Sequence, residues 1–487
     1  MKSFGNIAKD GQVRAVASGT LTDGKAVIVN ANGTVSAVAS TGKAAGVGSK
    51  TTFESGQVDE MGGTYDSNTN RVVFCYQDVG NSSYGTAVAG TVSGTSITFG
   101  TPVVYSSATT SNSKATFDSN ANKVAIFYRT TNSHGIVATT SSSDNSLSFG
   151  SATQFDTTSN SRFSCTFDSS NNKCVAAYSS YNPGTNARAG RAVVGTISGT
   201  SISFGSTVDF FNHTIESSSC TFDSNSNKVV IFYSQENDSS NFKCVVGTVS
   251  GTSISFGSVV AVGGRGNGLA STFDSNSNKV VVIGRDINSS NKGIVKVGTV
   301  SGTSISFGTG VQIGTYAIDR EDVKASLSFD TTNNKVGIGY ADETNSKGKF
   351  ISGSVSGTSI TFDSEQTYEA SGKPTQIAAC VYDDNADSFV VGYGEFSTSI
   401  GRANVIDIDT LVTNVTSENF IGFSDGAFAT TQSASINTTN TIDRNQSGLT
   451  AGQTYFVQTD GTLGLTAASP SVTAGTAISS TELIVKG

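Results

Sequence analysis

The chain alternates short apolar runs with polar turns, and this pattern repeats along most of its length. Residues 270–308 read ASTFDSNSNKVVVIGRDINSSNKGIVKVGTVSGTSISFG, in which four runs of strand length are separated by turns of Ser, Asn, Asp and Gly. The run at 279–284 is rich in β-branched residues, which suit the pleated surface of a strand. Ser, Asn and Asp bond to their own backbone in turns, and Gly adopts positive φ at no steric cost. The pattern predicts a unit of four short strands joined by tight turns.

An aromatic–Asp pair marks this unit and occurs seven times, at intervals of 50 to 56 residues. A period of this length with four strands per unit is typical of a β-propeller blade. An open β-solenoid is the competing interpretation, although solenoid coils are usually shorter. We therefore predict an all-β, seven-bladed propeller with four-stranded blades. The pairs begin at Tyr65, Phe117, Phe167, Phe222, Phe273, Phe329 and Tyr382.

The seventh unit lacks a fourth strand, and a candidate for it lies near the other end of the chain. No copy of VSGTSISFG follows the third run of that unit, at 402–409. The segment KTTFESGQV at 50–58 resembles TSISFGSVV at 252–260 and directly precedes the first aromatic–Asp pair. We predict that residues 47–59 complete the last blade, which joins the ends of the ring and removes exposed strand edges.

The segments outside the ring share a second motif, x-L-T-x-G followed nine residues later by G-T-[VL]. It occurs at 20–24 with 33–35, and again at 448–452 with 461–463. Both copies are typical of strand–turn–strand, and closure of the ring would bring both segments out at the same place. We expect the two modules to pack together as one small β domain, a hypothesis that a structure with the modules apart would contradict. The predicted boundaries are 1–46 for the N-terminal module, 47–411 for the propeller and 412–487 for the C-terminal module.

Composition and charge exclude several classes of protein. The formal net charge is −8 and the pI about 4.9, whereas nucleic-acid binding depends on clusters of Lys and Arg. No signal peptide and no apolar stretch approaching the ~18 residues of a membrane span is present, so we expect no membrane insertion. Cys165, Cys220 and Cys380 occupy the same position of the repeat. This indicates small buried side chains rather than disulfides or zinc ligands.

Motifs for catalysis or metal binding are weak. The repeated Asp-x-Asn-x-Asn resembles the start of a calcium loop but lacks the Gly and the terminal Glu, so a capped hairpin turn is the better interpretation. His134 and His213 fall in different blades with no matching acid. The chain has no Trp, which excludes the boxes of sialidase propellers. We expect no enzyme, metal or cofactor, although a glycosidase pair remains open among five acids outside the repeat. These acids are Glu216, Glu236, Asp238, Glu321 and Glu343.

Successive strands of a blade run in opposite directions, so the loops separate onto two faces of the ring. With the strands named a to d in chain order, the a–b and c–d turns share one face, which we call the turn face. The b–c and d–a loops share the other, the variable face. The turns are the near-invariant SNSN and SGTS, whereas the loops differ in length and content between blades. Because binding residues are usually loop residues on a rigid scaffold, we expect function on the variable face.

The variable face carries aromatic and Arg residues that suit sugar stacking or protein contact. Phe210 and Phe211 are notable as adjacent large apolar residues in a polar loop, although one of such a pair normally points inward. The candidate binding residues are Arg129, Tyr181, Arg188, Phe210, Phe211, His213, Arg265, Arg285, Asp286, Tyr316 and Arg320.

Two C-terminal segments, GLTAGQTYFVQTDGTLG at 448–464 and AISSTELIVKG at 477–487, resemble the ends of tail-fibre and tail-appendage proteins of tailed bacteriophages, marine and cyanobacterial phages in particular. The FDSNxNKV and VSGTSISFG repeats also look like those of marine phage structural proteins. The resemblance implies assembly into a particle, often as trimers or around a symmetry axis, and contact with a host surface. It carries over no catalytic residue.

These observations together predict a non-enzymatic virion protein of the tail-fibre or appendage type, assembled in the host cytoplasm. We expect its end modules to contact other virion proteins, its propeller to contact a host glycan or receptor, and the chain to form a homo-oligomer. One alternative is a capsid or tail decoration protein with a purely structural role. Another is a carbohydrate-binding propeller lectin or bacterial surface protein, although the variable loops do not repeat as a sugar pocket in every blade would require. A hydrolase of host glycans would need a cluster of acids on the variable face.

Overall fold

The computed structural model describes residues 11–182, 184, 186–235, 241–266, 268–317, 325–410, 412–468 and 470–486. These residues form antiparallel strands almost throughout, with two short 3-10 turns, Val79–Asn81 and Ile287–Ser289, and no α-helix among them. No helix in these ranges is therefore long and apolar enough to cross a membrane. The chain divides into two compact units, residues 46–408 and residues 1–45 with 409–487.

The larger unit is a seven-bladed β-propeller, as predicted. Its strands, blade by blade, are Thr51–Asp66 (second half), Arg71–Asp78, Tyr84–Ser93, Ser96–Phe99 and Val103–Thr109; Ser111–Asp118, Lys123–Arg129, Ser133–Thr140, Leu147–Phe149 and Thr153–Asp156; Ser159–Asp168, Lys173–Asn182, Ala187–Ser198, Ser201–Phe204 and Val208–Phe211; Ile215–Asp223, Lys228–Gln235, Asn241–Ser250, Ser253–Phe256 and Val260–Arg265; Ala270–Asp274, Lys279–Asp286, Lys292–Ser301, Ser304–Phe307 and Val311–Ala317; Ala325–Asp330, Lys335–Asp342, Lys347–Ser356, Ser359–Phe362 and Gln366–Glu369; and Gln376–Asp383, Ser388–Gly394, Ile400–Asp407, Gly46–Val47 and Thr51–Asp66 (first half).

The core of the propeller is built on strand b of each blade, which is covered on both faces. Every residue of 72–76 and of 229–233 is fully buried. The side chains pack between neighbouring blades, so that Val175 of blade 3 and Ile231 of blade 4 belong to one apolar cluster. Continuous rather than alternating apolar runs are what strands covered on both sides require.

The outermost strand d of each blade is split into two segments. In blade 4, Ser253–Phe256 and Val260–Arg265 pair with opposite ends of strand c. The Gly of the SISFG motif stands at the break. A Cβ on Gly205 of blade 3 would lie 1.8 Å from the carbonyl oxygen of Thr252 in the next blade. The repeated Gly therefore lets neighbouring blades approach backbone to backbone.

The repeated Asp caps the a–b turn in all seven blades. In blade 4 the Oδ1 atom of Asp223 accepts the backbone N–H groups of Asn225 and Ser226, each at 2.9 Å. Asn227 ends the turn with φ of +54°, a conformation that Asn tolerates. The same pair of backbone bonds occurs at the other six Asp residues. The Asp-x-Asn-x-Asn motif is thus a capped hairpin turn.

The ring is closed by the N-terminal segment, as predicted, but in a different register. Strand c of blade 7 pairs with Val47 and then with Thr51, and the latter strand continues into strand a of blade 1. Residues Gly46–Val47 supply the first segment of strand d and residues 51–57 the second. Phe53 therefore occupies the position of Val262, and not that of Phe256 as the sequence comparison predicts. Both positions hold a buried or half-buried apolar residue, so composition alone does not fix the register.

An ion cluster fixes the closing strand on the variable face. The Nζ atom of Lys50 lies 2.9 Å from Oε2 of Glu369 in blade 6 and 2.6 Å from Oε1 of Glu395 in blade 7. Arg402 also bonds Glu395, at 3.0 Å. The hydrogen bonds from Lys50 and Arg402 lower the pKa of Glu395 to about 2.

The smaller unit is a β domain built from the two chain ends, as predicted. Its two five-stranded sheets share a core in which Ile28 and Phe423 pack in one cluster with Tyr455 and Val457. Its strands are Gln12–Val16, Ala26–Val29, Val35–Ala37, Ser40–Thr41, Val412–Thr413, Phe420–Ser424, Ser433–Asn437, Ile442–Asp443, Thr454–Val457, Leu463–Gly464, Thr473–Ala477 and Leu483–Val485.

The two sheets of this end domain are copies of one four-stranded module. Val27 pairs with Gly422 in the first copy as Tyr455 pairs with Gly475 in the second, each pair beside a register shift. A Cβ on Gly422 or Gly475 would lie 1.9 or 2.1 Å from a backbone carbonyl oxygen of the next strand. The turn at Gly33 closes with an N–H···O bond of 2.9 Å, and so does its counterpart at Gly461.

The propeller is inserted into one loop of the first copy. In the second copy, residues 465–472 join the strands Leu463–Gly464 and Thr473–Ala477. In the first copy the whole propeller stands at that place. The chain leaves through Ser40–Thr41 and returns through Val412–Thr413, and these two short strands pair with each other.

Candidate functional site

The innermost strands of all seven blades surround a cavity of about 670 Å³ on the axis of the propeller. Its wall is made of small side chains, chiefly Ser, Thr, Ala, Gly and Cys. Hydroxyl groups of neighbouring blades pair across it, Ser164 with Ser218 at 2.9 Å and Ser219 with Ser271 at 2.8 Å. Small residues here leave an open polar cavity in place of a packed axis.

The mouth of this cavity on the variable face is marked by an unusual backbone conformation. The residue five positions before the aromatic–Asp pair has positive φ in four blades, namely Glu60 (49°), Asn112 (56°), Arg162 (60°) and Gly268 (70°). The first three stand at register shifts, where strand a bulges away from strand b. Positive φ is uncommon for Glu and Arg, and such conformations concentrate at functional sites.

The bulge residues form a hydrogen-bonded arc across five blades, which we call the mouth arc. It runs from Gln376 of blade 7 through Asp59 and Glu60, Asn112 and Arg162 to Ser218 of blade 4. Gln376 Nε2 donates to Asp59 Oδ1, and the N–H of Asn112 donates to Glu60 Oε2 at 3.3 Å. The N–H of Arg162 donates to Asn112 Oδ1 at 2.8 Å, and Ser218 Oγ donates to the Arg162 carbonyl at 2.5 Å. The arc therefore links non-repeating side chains at the rim of the cavity.

Lys114 lies just inside the mouth arc, on strand a of blade 2. Its ammonium group donates to the carbonyl oxygen of Met61. Burial lowers the pKa of Lys114, and the nearby carboxylate of Glu60 opposes that shift. Within the described ranges no carboxylate lies within ion-pair distance of it, so this buried cation is balanced only at longer range.

Four of the predicted binding residues come together at a second location, between blades 3 and 4, which we call the outer patch. Arg188 lies over the ring of Tyr181, with the guanidinium carbon 4.9 Å from the ring centre. Its Nη1 atom bonds Thr214 Oγ1 at 3.0 Å, beside the exposed His213. The half-buried Phe211 has its ring 5.5 Å from that of His213. This surface offers aromatic rings and a guanidinium group in reach of solvent.

Phe210 is a correction to the predicted set. It is 8% exposed and packs on Tyr233, with ring centres 5.4 Å apart. Its place in strand d is that of Val262 and Phe53, which are core residues of other blades. Strand alternation turns Phe210 inward and Phe211 outward, so only Phe211 remains at the surface.

Arg285 and Asp286 are also more buried than predicted, at 8% exposure each. Asp286 accepts hydrogen bonds from the backbone of Asn288 and Arg265, both at 3.1 Å. Its carboxylate therefore holds the loops of blades 4 and 5 in place. Arg265 is half-buried beside it. Arg129 ends strand b of blade 2, in register with Ser133.

Some predicted residues lie outside the described parts of the structure. Arg320 is one of them, and the side chain of Tyr316 is another. The same holds for three of the acids considered for a glycosidase pair, Glu236, Asp238 and Glu321. Of the remaining two, Glu216 lies on strand a of blade 4, and Glu343 pairs with Lys373 at 2.5 Å. The described residues contain no group of three potential metal ligands.

The variable loops do not reveal the mouth arc, because its members lie on strand a. The sequence does carry one signal of it. The position five residues before the aromatic varies as Glu, Asn, Arg, Ser and Gly in blades 1 to 5, while the aromatic and the Asp stay fixed. Variation inside an otherwise repeated strand marks a position that the fold does not dictate.

Comparison with known proteins gives similarity in fold only. No protein-family model matches the chain, and no curated protein matches its sequence. Among solved structures, AofleA from Arthrobotrys oligospora aligns with a TM-score of 0.41 and 10% identity over 72% of this chain and 97% of its own. Sqt1 from Saccharomyces cerevisiae gives 0.43 and 10% over 80% and 98%. The periplasmic gluconolactonase PpgL from Pseudomonas aeruginosa gives 0.43 and 13% over 72% and 98%. Ligands and chemistry have to be inferred from the residues of this chain.

Proposed function

We propose that this chain is a non-enzymatic structural protein of a tailed-bacteriophage particle, in which the end domain anchors the chain and the variable face of the propeller contacts the host surface. The segments that resemble phage tail proteins, 448–464 and 477–487, belong to the second copy of the end module. The partners would be other virion proteins at the end domain and a host glycan or receptor at the propeller. A homo-oligomer is part of the proposal.

The insertion of the propeller into a duplicated module is the observation that carries this proposal. Strands Ser40–Thr41 and Val412–Thr413 are hydrogen-bonded neighbours, so the propeller enters and leaves at one point. Large insertions are tolerated at loops whose ends lie close together. The second copy completes the same four strands with a short loop instead. One module with and without an insert suits a division of labour between anchoring and presentation.

The geometry of the cavity favours binding over catalysis. The two acids of the mouth arc are each engaged, Asp59 by Gln376 and Glu60 by the backbone of Asn112. The outer patch contributes aromatic rings, a guanidinium group and an imidazole, which are groups that bind sugars or peptides through stacking and hydrogen bonds.

The proposal is tested on purified particles from the source, by mass spectrometry of their proteins and by cryo-electron microscopy. We expect the chain among the particle proteins and a seven-bladed disc in the density. A disc exposed at the end of a tail appendage supports host attachment, whereas a disc lying flat on the capsid or tail wall indicates decoration. Particles that contain no copy of the chain would overturn the proposal.

The outer patch favours a carbohydrate-binding propeller as the second candidate. Tyr181 and Arg188 present a ring and a guanidinium group in one exposed unit. If the chain is missing from particles yet binds glycans on an array, and Tyr181→Ala removes that binding, the lectin interpretation takes the place of the virion one.

A further inference from the structure

The axial cavity carries features that packing of the propeller does not explain. Among its described lining residues the three charged side chains of Asp, Glu, Lys or Arg are Glu60, Lys114 and Arg162, all on strand a of blades 1 to 3. The rest of the wall is dominated by hydroxyl-bearing and other small side chains. The charge is therefore confined to one side of the mouth, on an otherwise neutral polar wall.

Lys114 is the central observation. A buried ammonium group is costly unless it is paired and fully hydrogen-bonded. Among the described residues its one hydrogen bond goes to a neutral carbonyl, of Met61. Two of its three N–H donors are left to the cavity. A carboxylate placed there would satisfy both the charge and the donors.

The surrounding groups point to a ligand with hydroxyl groups as well as a carboxylate. Asn112, Gln376 and Ser218 provide amide and hydroxyl groups around the rim. The hydroxyl pairs of the wall, such as Ser219 with Ser271, are both donors and acceptors. A cavity of about 670 Å³ falls in the size range of small-molecule sites and holds a monosaccharide with room for its linkage.

We propose that the mouth of the axial cavity binds a carboxylate-bearing sugar, with the carboxylate at Lys114 and Arg162 and the hydroxyls on the mouth arc. The negative charge of Glu60 beside Lys114 limits the affinity and favours ligands that also satisfy the arc. This inference rests on the proposed function, since acidic sugars are components of cell-surface glycans, and it names the ligand class.

The test is isothermal titration of the full-length chain with glucuronic acid, glucose and acetate. We expect glucuronic acid to bind at least about tenfold more tightly than either of the others, because only it presents both carboxylate and hydroxyls. Lys114→Met should weaken glucuronic acid binding at least about tenfold, since a charge-assisted hydrogen bond is lost. Glu60→Gln should tighten it about twofold to fivefold, because the amide keeps the bond to Asn112 and removes the repulsion.

Lys123→Met, in the same blade but on the turn face, is the matched control and should leave binding unchanged. Melting temperatures of all variants identify any loss of folding. If Lys114→Met does not fold, Arg162→Gln replaces it, because that side chain is exposed. The opposite signs at Lys114 and Glu60 separate ligand binding from a structural role.

Equal binding of acetate and glucuronic acid, no binding of glucuronic acid, or unchanged binding in Lys114→Met would each overturn this inference. The proposed function is judged separately, by the particle proteins. A chain present in particles that ignores uronic acids contradicts only the inference, whereas a chain that binds them and is missing from particles contradicts only the virion assignment.

Discussion

The two faces of the propeller are built on the same seven blades but use polar side chains in opposite ways. On the turn face, seven Asp residues repeat one pair of backbone bonds, and their carboxylates are almost fully buried. On the variable face the polar residues differ between blades, and their bonds run from one blade to the next, as from Arg162 to Asn112. Repetition therefore marks what each blade needs to fold. Variation marks what only the assembled ring can form.

This difference can be tested by substitutions whose effects on stability should fall as one moves from the core and the turn face to the variable face. Each substitution pairs a residue that the blade needs with a neighbour of the same type that it does not need, or with a matched measurement.

Phe210→Ala is expected to cost the most stability, about 4 kcal/mol in the free energy of unfolding, because it removes a buried ring packed on Tyr233. Phe211→Ala is the matched control and should cost clearly less, since that side chain is half-buried. Urea denaturation followed by circular dichroism measures both. Equal losses would contradict the inward and outward assignment of this pair.

The contrast between these two residues also shows what the sequence can tell. The blades, their number and the capped turns follow from the repeat, because each blade repeats the same solution and errors in one copy are corrected by six others. The sequence predicts a surface position for Phe210 because the segment around it resembles a loop. The second segment of strand d has little repeated sequence, with Tyr105, Phe155, Phe210 and Val262 at one position.

The mouth arc is out of reach of the sequence for a different reason. Its members are about fifty residues apart, and closure of the ring brings them together. No local pattern encodes such contacts, and the bulges that aim Glu60 and Arg162 at the mouth leave no motif. Charge on an inner strand is the one local sign, since Lys114 stands where the other blades carry Gly, Ser or Ala.

Gly205→Ala should cost about 3 kcal/mol, because its Cβ would lie 1.8 Å from the carbonyl oxygen of Thr252 in the next blade and the blades would have to separate. Gly199→Ala, at the tip of the c–d turn of the same blade, is the control. No atom lies within 4 Å of its Cβ, so only the φ of +61° is unfavourable, at about 1 kcal/mol. Calorimetric unfolding compares the two. Equal costs would mean that close contact between blades does not limit the choice of residue.

Asp223→Ala should cost about 2 kcal/mol, since two backbone N–H groups lose their acceptor in a largely buried turn. Asp144→Ala is the control on the same face. Asp144 caps a fully exposed c–d turn of blade 2 through a single backbone bond of 3.1 Å, so water can replace it. Urea denaturation compares the two variants. If Asp144→Ala were as destabilising as Asp223→Ala, capping of the repeated turn would not be a special demand of the blade.

The smallest effect is expected at Glu395, on the variable face, where the ion cluster at Lys50 does the structural work of holding the closing strand. The hydrogen bonds from Lys50 and Arg402 lower the pKa of Glu395 to about 2, so its folded-state pKa is depressed. Its contribution is therefore present above the unfolded pKa of about 4.3 and is lost as the pH falls toward 2.

Glu395→Gln should accordingly lower the free energy of unfolding at pH 7 by less than about 1 kcal/mol, because the cluster is partly solvated. The difference between wild type and variant should shrink between pH 5 and pH 2, and guanidinium denaturation at several pH values measures it. A difference that stays constant over this range would show that the carboxylate charge does not hold the strand. The variable face would then contribute nothing to ring closure, and the division between the two faces would be complete.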